Sequence, residues 1–300
     1  MLEVDMASPG LDRIVEPNMP LDRIYHGLSF GEGPLWDQQN KELYFVDIVG
    51  STIWKWVPGK GTEVVMHPSG HANGMTFDHD HRILVAGWGA RTVWRIEKYG
   101  STTVLASHYD GKKINSPNDI VVKVSDGGTY FTDSEGGLVN VGQCGDDVQR
   151  YLDFQGVYRI SPDGSELRLV TGDVYYPNGL AFSPDESLMY VNDSRKGLIH
   201  VFDVKSDGSL ENMRLFYTLV GDEPGIADGM KVDTEGNVYC TGPAGVHVLD
   251  PSGKLLGRLK IPGHTTNMAW GEDDWRALFI TTYTGVYRVR LKIPGIPVKQ

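Results

Sequence analysis

Two cysteines, Cys144 and Cys240, are all that 300 residues contain. That excludes a disulfide framework and points to a reducing compartment, with the cytoplasm as the expected location. Basic residues are outnumbered too, 28 Lys and Arg against 39 Asp and Glu, for a formal net charge of −11. An acidic chain repels phosphate backbones and anionic lipid, so neither nucleic acid nor a membrane is an expected partner. Apolar runs never exceed a few residues, which excludes a membrane-spanning helix. The first stretch, MLEVDMASPGLDRIVEPNMP, mixes acids and prolines without an apolar core and does not read as a secretory signal. No segment shows convincing helical periodicity. There is no G-x-S-x-G elbow and neither cysteine sits in a nucleophile motif, so no Ser-His-Asp system is visible.

What is present repeats. A small or turn residue, a polar residue and an alternating apolar strand recur in EGPLWD, ANGMTFD, PNDIVV, PNGLAFSPD, ADGMKVD and TNMAWGEDD. Aligning the polar residue gives Glu32, Asn73, Asn118, Asn178, Asp228 and Asn267, with gaps of 41, 45, 60, 50 and 39 residues. That is the blade period of a β-propeller. Each unit continues with a turn, a second strand such as LYFVD or TYFTD, and a third such as TIWKWV or GVYRIS. The expected fold is therefore all-β, a six-bladed β-propeller. Too few residues follow Asn267 for a complete blade, so an N-terminal strand, DRIVE (12–16) or LDRIYH (21–26), is expected to close the last one. Residues 1–300 read as one propeller domain, with 1–20 an N-terminal extension and 134–155 an inserted loop over the active mouth.

The first strand of each blade lines a propeller's channel, so the six aligned residues face one small axial space. Strand two returns to the same mouth, bringing Asp47, Asp133, Asp193 and the Thr281–Thr282 pair there. Glu32, Asn118, Asn178 and Asp228 are hard oxygen donors, suited to one divalent cation: Ca²⁺ first, with Mg²⁺, Mn²⁺ or Zn²⁺ as alternatives. Asn and Asp before Gly also make turns, and Asn73 and Asn267 read that way more readily.

Six stretches, FGEGPLWD (30–37), INSPNDIVV (114–122), TYFTD (129–133), DFQGVYRISPDG (153–164), PNGLAFSPD (177–185) and IADGMKVDTEGNVY (226–239), carry a resemblance. In their order and spacing the chain resembles the SMP-30/gluconolactonase/LRE family of regucalcin-like lactonases, its gluconolactonase branch above all. The resemblance implies a propeller with one divalent metal on the axis, held by Glu32, Asn178 and Asp228, and Asn118 at the substrate or the metal. The animal branch carries a sugar-binding Arg just before this motif; Asn115, Ser116 and Pro117 stand there, so that contact is absent or supplied otherwise, with Asn115 a candidate substrate-binding residue. SEGG follows Asp133 where many gluconolactonases are Pro-rich, which bears on substrate preference. The implied reaction is hydrolysis of a sugar lactone such as glucono-1,5-lactone, with Asp228 as general base or, alternatively, nucleophile.

Around the mouth, His71 in GHANG, Trp88 and Tyr283 are candidate substrate contacts, while His79 and His81 fall in a turn at the opposite mouth. Trp54, Trp56 and Trp94 lie in third strands and read as packing. Two other functions fit the same scaffold. A diisopropylfluorophosphatase-like phosphotriesterase uses a similar oxygen cluster, and an interaction propeller needs none.

Overall fold

Residues 1–298 are described in a computed structural model of the chain. Six antiparallel sheets follow one another around an axis. Blade I comprises Gly31–Asp37, Glu42–Asp47, Thr52–Val57 and Gly61–Met66. Blade II runs from Ala72–Phe77 to Thr102–Ala106, blade III from Ser116–Val122 to Leu167–Thr171, and blade IV from Pro177–Phe182 to Leu210–Thr218. Blade V begins at Met230–Val232 and blade VI at Thr265–Gly271. First strands are almost wholly buried and fourth strands are the more exposed, as in blade I where Gly61–Met66 has no buried residue. Side chains alternate between the two faces of a strand, and near-continuous apolar middle strands such as Ile83–Gly87 bury both, one against each neighbouring blade. Six apolar clusters result, one at each junction: Leu35, Val46 and Ile53 of blade I, for example, meet Met75, Phe77 and Val85 of blade II.

The ring closes as expected from LDRIYH: Asp22–His26 pairs antiparallel with Gly285–Arg290 as the outer strand of blade VI. DRIVE is not a strand; Pro9–Arg13 is a 3₁₀ turn capped by Ser8. A second closure was not expected. Glu3–Met6 pairs with Leu255–Lys260 and gives blade V a fifth strand. A single helical turn, Gly136–Val139, lies in the inserted loop, too short to leave a periodic signature. Residues 294–298 cross the far end of the channel. Ile296 donates its N–H to Val232 O and packs on the cluster between blades IV and V, while Val298 packs on the one between I and II. No helix among the described residues is long and apolar enough to cross a membrane.

Candidate active site

The aligned polar residues sit where first strands begin, and a recurrent device turns them to the axis. Pairing between first and second strands slips just at or after the polar residue: between Glu32 and Leu35, Ala72 and Met75, Pro117 and Ile120, Pro177 and Leu180, and Thr265 and Met268. Such bulges re-aim a side chain and free a backbone N–H from the ladder. The freed groups are satisfied from the second strand. Thr132 Oγ1 accepts from Asp119 N at 3.1 Å, Asn192 Oδ1 from Gly179 N at 3.1 Å and Thr281 Oγ1 from Asn267 N at 3.1 Å; in blade V, where Asp228 precedes the strand and the pairing runs without a shift, Thr241 Oγ1 accepts from Asp228 N at 3.0 Å. In blade I, which has Val46 near that point, Glu32 Oε2 itself accepts from Gly33 N at 2.7 Å. The glycine after the polar residue has its own cause. A Cβ on Gly33 would lie 2.1 Å from Asn73 O of the next blade, and one on Gly179 2.2 Å from Asp228 O. The innermost backbones touch, and only glycine leaves room.

All six aligned residues are buried. Asn267, which sequence favoured as a turn residue, donates Nδ2–H to Glu32 Oε2 at 2.9 Å, and Asn73 Nδ2 donates to Asn118 Oδ1 at 3.3 Å. Asn178 Nδ2 donates to Ser194 Oγ at 3.0 Å, leaving its buried Oδ1 without a partner beside Asp228. Burial, then repulsion from Asp119, pushes Glu32 up to about 7 against its hydrogen bonds from Gly33 and Asn267. Asp228 is raised well above the usual carboxylate range by burial, then by the charges of Glu32 and Asp119. Two carboxylates crowded out of water beside an orphaned amide oxygen make a donor set of the kind that suits a hard cation. No group of three His, Cys, Asp or Glu side chains forms a metal set among the described residues, so any ligand shell draws on the amides.

Two axial residues went unrecognised in the sequence. Asp119 is buried, and its Oδ2 lies 3.5 Å from Asn267 Nδ2 and 3.7 Å from Lys231 Nζ. The signal was a break in the repeat: Asp follows Asn118 where glycine follows Glu32, Asn73, Asn178 and Asp228. Lys231 is likewise a charge three residues after the aligned position, where the other five blades carry Leu35, Thr76, Val121, Ala181 and Trp270.

Aromatic rings wall the mouth. Tyr283 stacks on His264 at 4.3 Å and meets Phe30 at 4.4 Å between ring centres. Burial and the charges of Asp228 and Glu32 raise the Tyr283 phenol. Trp88 and Tyr176 meet over Gly136 of the inserted loop, and Arg195 lies over the Tyr176 ring at 4.9 Å. His71 Nδ1 is 2.7 Å from Ile48 O, so that its ring is held at the rim. Asn115 is fully buried; its N–H and Nδ2 donate to Asp133 Oδ2 at 2.9 and 3.0 Å and Nδ2 also to Phe154 O, while Oδ1 has no partner. Asp47 and Asp193 accept from loop N–H groups, Asp47 from Ser29, Phe30 and Gly50, Asp193 from Arg195 and Lys196. His81 faces Asp37 at 3.1 Å in the far turn.

The SMP-30/gluconolactonase/LRE-like family model matches residues 30–284, which hold all six aligned residues. The chain belongs to that family. Within this SMP-30/gluconolactonase family it is 35% identical to a gluconolactonase of Zymomonas mobilis, over 96% of this chain and 86% of that one. It is 26% identical to the pentonolactonase XacC of Haloferax volcanii, over 85% of this chain and 82% of the relative. The solved structure of a gluconolactonase from Xanthomonas campestris superposes with a TM-score of 0.88 at 31% identity, covering 96% of this chain and 94% of that one.

Proposed function

We propose that this chain is a lactonase that hydrolyses a sugar lactone, an aldonolactone such as glucono-1,5-lactone, to the open hydroxy acid. The observation that carries the reading is the axial cluster: buried Glu32 and Asp228 repel each other beside the unpartnered Asn178 Oδ1, below a mouth walled by aromatic rings. The kinship to lactonases supports the reaction class. Glu32, Asn178 and Asp228 would hold one divalent ion, with Ca²⁺ the first candidate and Mg²⁺, Mn²⁺ or Zn²⁺ the others. Such an ion, when bound, supplies Lewis-acid polarisation of the lactone carbonyl.

The chain's own groups do the rest. Asp228 takes a proton from the water that attacks the carbonyl carbon. The ring C–O bond then breaks, and the same proton passes to the departing alkoxide. Asn118 and Asn115 orient the substrate from blade III, His71 and Trp88 from blade II, and Tyr283 offers a ring face to the sugar. The whole chain works as one unit, with 134–155 bordering the mouth, and acts in the cytoplasm.

The test is to strip the protein with a chelator and follow glucono-1,5-lactone hydrolysis by pH change, with spontaneous opening subtracted. Loss on stripping and recovery with a single added ion are expected. Metal binding without turnover of any aldonolactone, but with turnover of a phosphotriester, would overturn the lactonase reading.

A further inference from the structure

The channel changes character just below the axial carboxylates. Above them lies the mouth. Below them is an apolar cavity of about 570 Å³, lined by Leu35, Phe77, Phe182, Trp270 and Val298 among others. Lys231 stands at the boundary, its side chain 27% exposed and part of the cavity lining. Its ammonium donates to Met230 O at 2.9 Å, lies 3.4 Å from Asn267 Oδ1 and reaches within 3.7 Å of Asp119 Oδ2. Among the described residues no other cation pairs with a channel carboxylate.

Three acids act on one another here through their charges. Asp119 repels both Glu32 and Asp228, and Glu32 repels Asp228. Asp119 cannot turn away, because its Oδ1 accepts from Ile120 N and its own N–H is held by Thr132. Lys231 reaches Glu32 in two ways: directly through its field, and through Asn267, whose Oδ1 faces the ammonium while Nδ2 donates to Glu32 Oε2. An ammonium on a flexible stem suits this place, since its methylenes lie along apolar wall and its head stays among oxygens.

We propose that Lys231 is a built-in counter-cation: its charge offsets the repulsion among Glu32, Asp119 and Asp228 and sets how tightly the axis holds a divalent ion. The proposal rests on the metal-site reading given above. A fixed positive charge steadies the ion-free site and competes with the incoming ion, so affinity is held below what three carboxylates alone would give. Asp119 is the opposing weight, an acid that attracts the ion without being in its expected ligand set.

Calorimetric titration of chelator-stripped protein with Ca²⁺ and with Mn²⁺ tests this, alongside thermal melting without ion. Lys231→Met and Lys231→Gln are expected to bind at least about tenfold more tightly than wild type. Asp119→Asn is expected to bind more weakly, Lys231→Arg to stay near wild type, and the Lys231→Met/Asp119→Asn double variant to return towards it. Without ion, Lys231→Met is expected to melt at a lower temperature, with Asp119→Asn restoring part of the loss. Unchanged or weaker binding by Lys231→Met, with normal binding by wild type, overturns the proposal. If wild type itself binds neither ion, the metal-site reading fails; a lower ion-free melting point of Lys231→Met then sustains the charge-balancing role, and an unchanged one overturns that too. Should Lys231→Met not fold, the opposite shifts of Lys231→Gln and Asp119→Asn decide.

Discussion

In its proposed role Asp228 sets stability against chemistry. Burial and the charge of Glu32 hold its carboxyl far above the ordinary range, so the ionised, ion-free site opposes folding. Asp228→Asn is expected to raise the ion-free melting temperature at pH 8 by a few degrees and to lower kcat by about 10³-fold or more; a thermal melt and a lactone assay on one preparation check both. Asp133 allows a cleaner pH test, away from the expected metal ligands. Burial lifts it from 3.8 to about 7, against the hydrogen bonds of Asn115 and the field of Arg91. Its folded pKa exceeds the unfolded one, so its share of stability is complete below about pH 4, falls as pH rises towards 7 and is level above. The urea midpoint of Asp133→Asn should therefore gain on wild type between pH 4 and 7, by on the order of 4 kcal/mol in total. At this scale the six axial positions were legible because the repeat aligned them. Asp119 and Lys231 were not, because they depart from that repeat, and Asn267 looked like a turn residue because its bond to Glu32 spans the ring closure.

The first-to-second-strand hairpin is the unit that builds the site. Its bulge aims a side chain inward, and the second strand supplies an oxygen for the stranded N–H. Thr241→Val keeps the shape of the fully buried Thr241 but leaves the Asp228 N–H, and the Ile226 carbonyl it also serves, without that hydroxyl. A loss of roughly 1–3 kcal/mol in urea unfolding is expected, together with weaker catalysis as the Asp228 backbone shifts. Strand type and order were readable from alternation and turn residues. The role of Thr132, Asn192, Thr241 and Thr281 was not, because a side-chain oxygen set against the start of the first strand is defined only by cross-strand register. The inserted loop shows the same limit. Arg91, fully buried, donates to the carbonyls of Ile114, Asn115, Asp147 and Gln149 and so ties that loop to the strand bearing Asn118. Nothing in the local text around Arg91 announces partners so far along the chain.

Blade count and the closing strand near residue 25 were legible because a period must close on itself. The fifth strand of blade V was not: Glu3–Met6 has four residues, too few for alternation to speak. Both N-terminal strands sit on sheet edges, one on each of two adjoining blades, and the 3₁₀ turn between them buries Leu11. Removing residues 1–26 is expected to lower the melting temperature by more than 10 °C and to promote self-association through the bared edges, read by thermal melting and size-exclusion chromatography. The same clasp orders events during synthesis. Asp22–His26 is made long before its partner Gly285–Arg290. At ~5–20 residues per second the earlier strand waits ~15–50 s for its mate. Throughout that interval the nascent protein is an open arc with an unsatisfied early strand, and synthesis of the partner strand converts it into a ring.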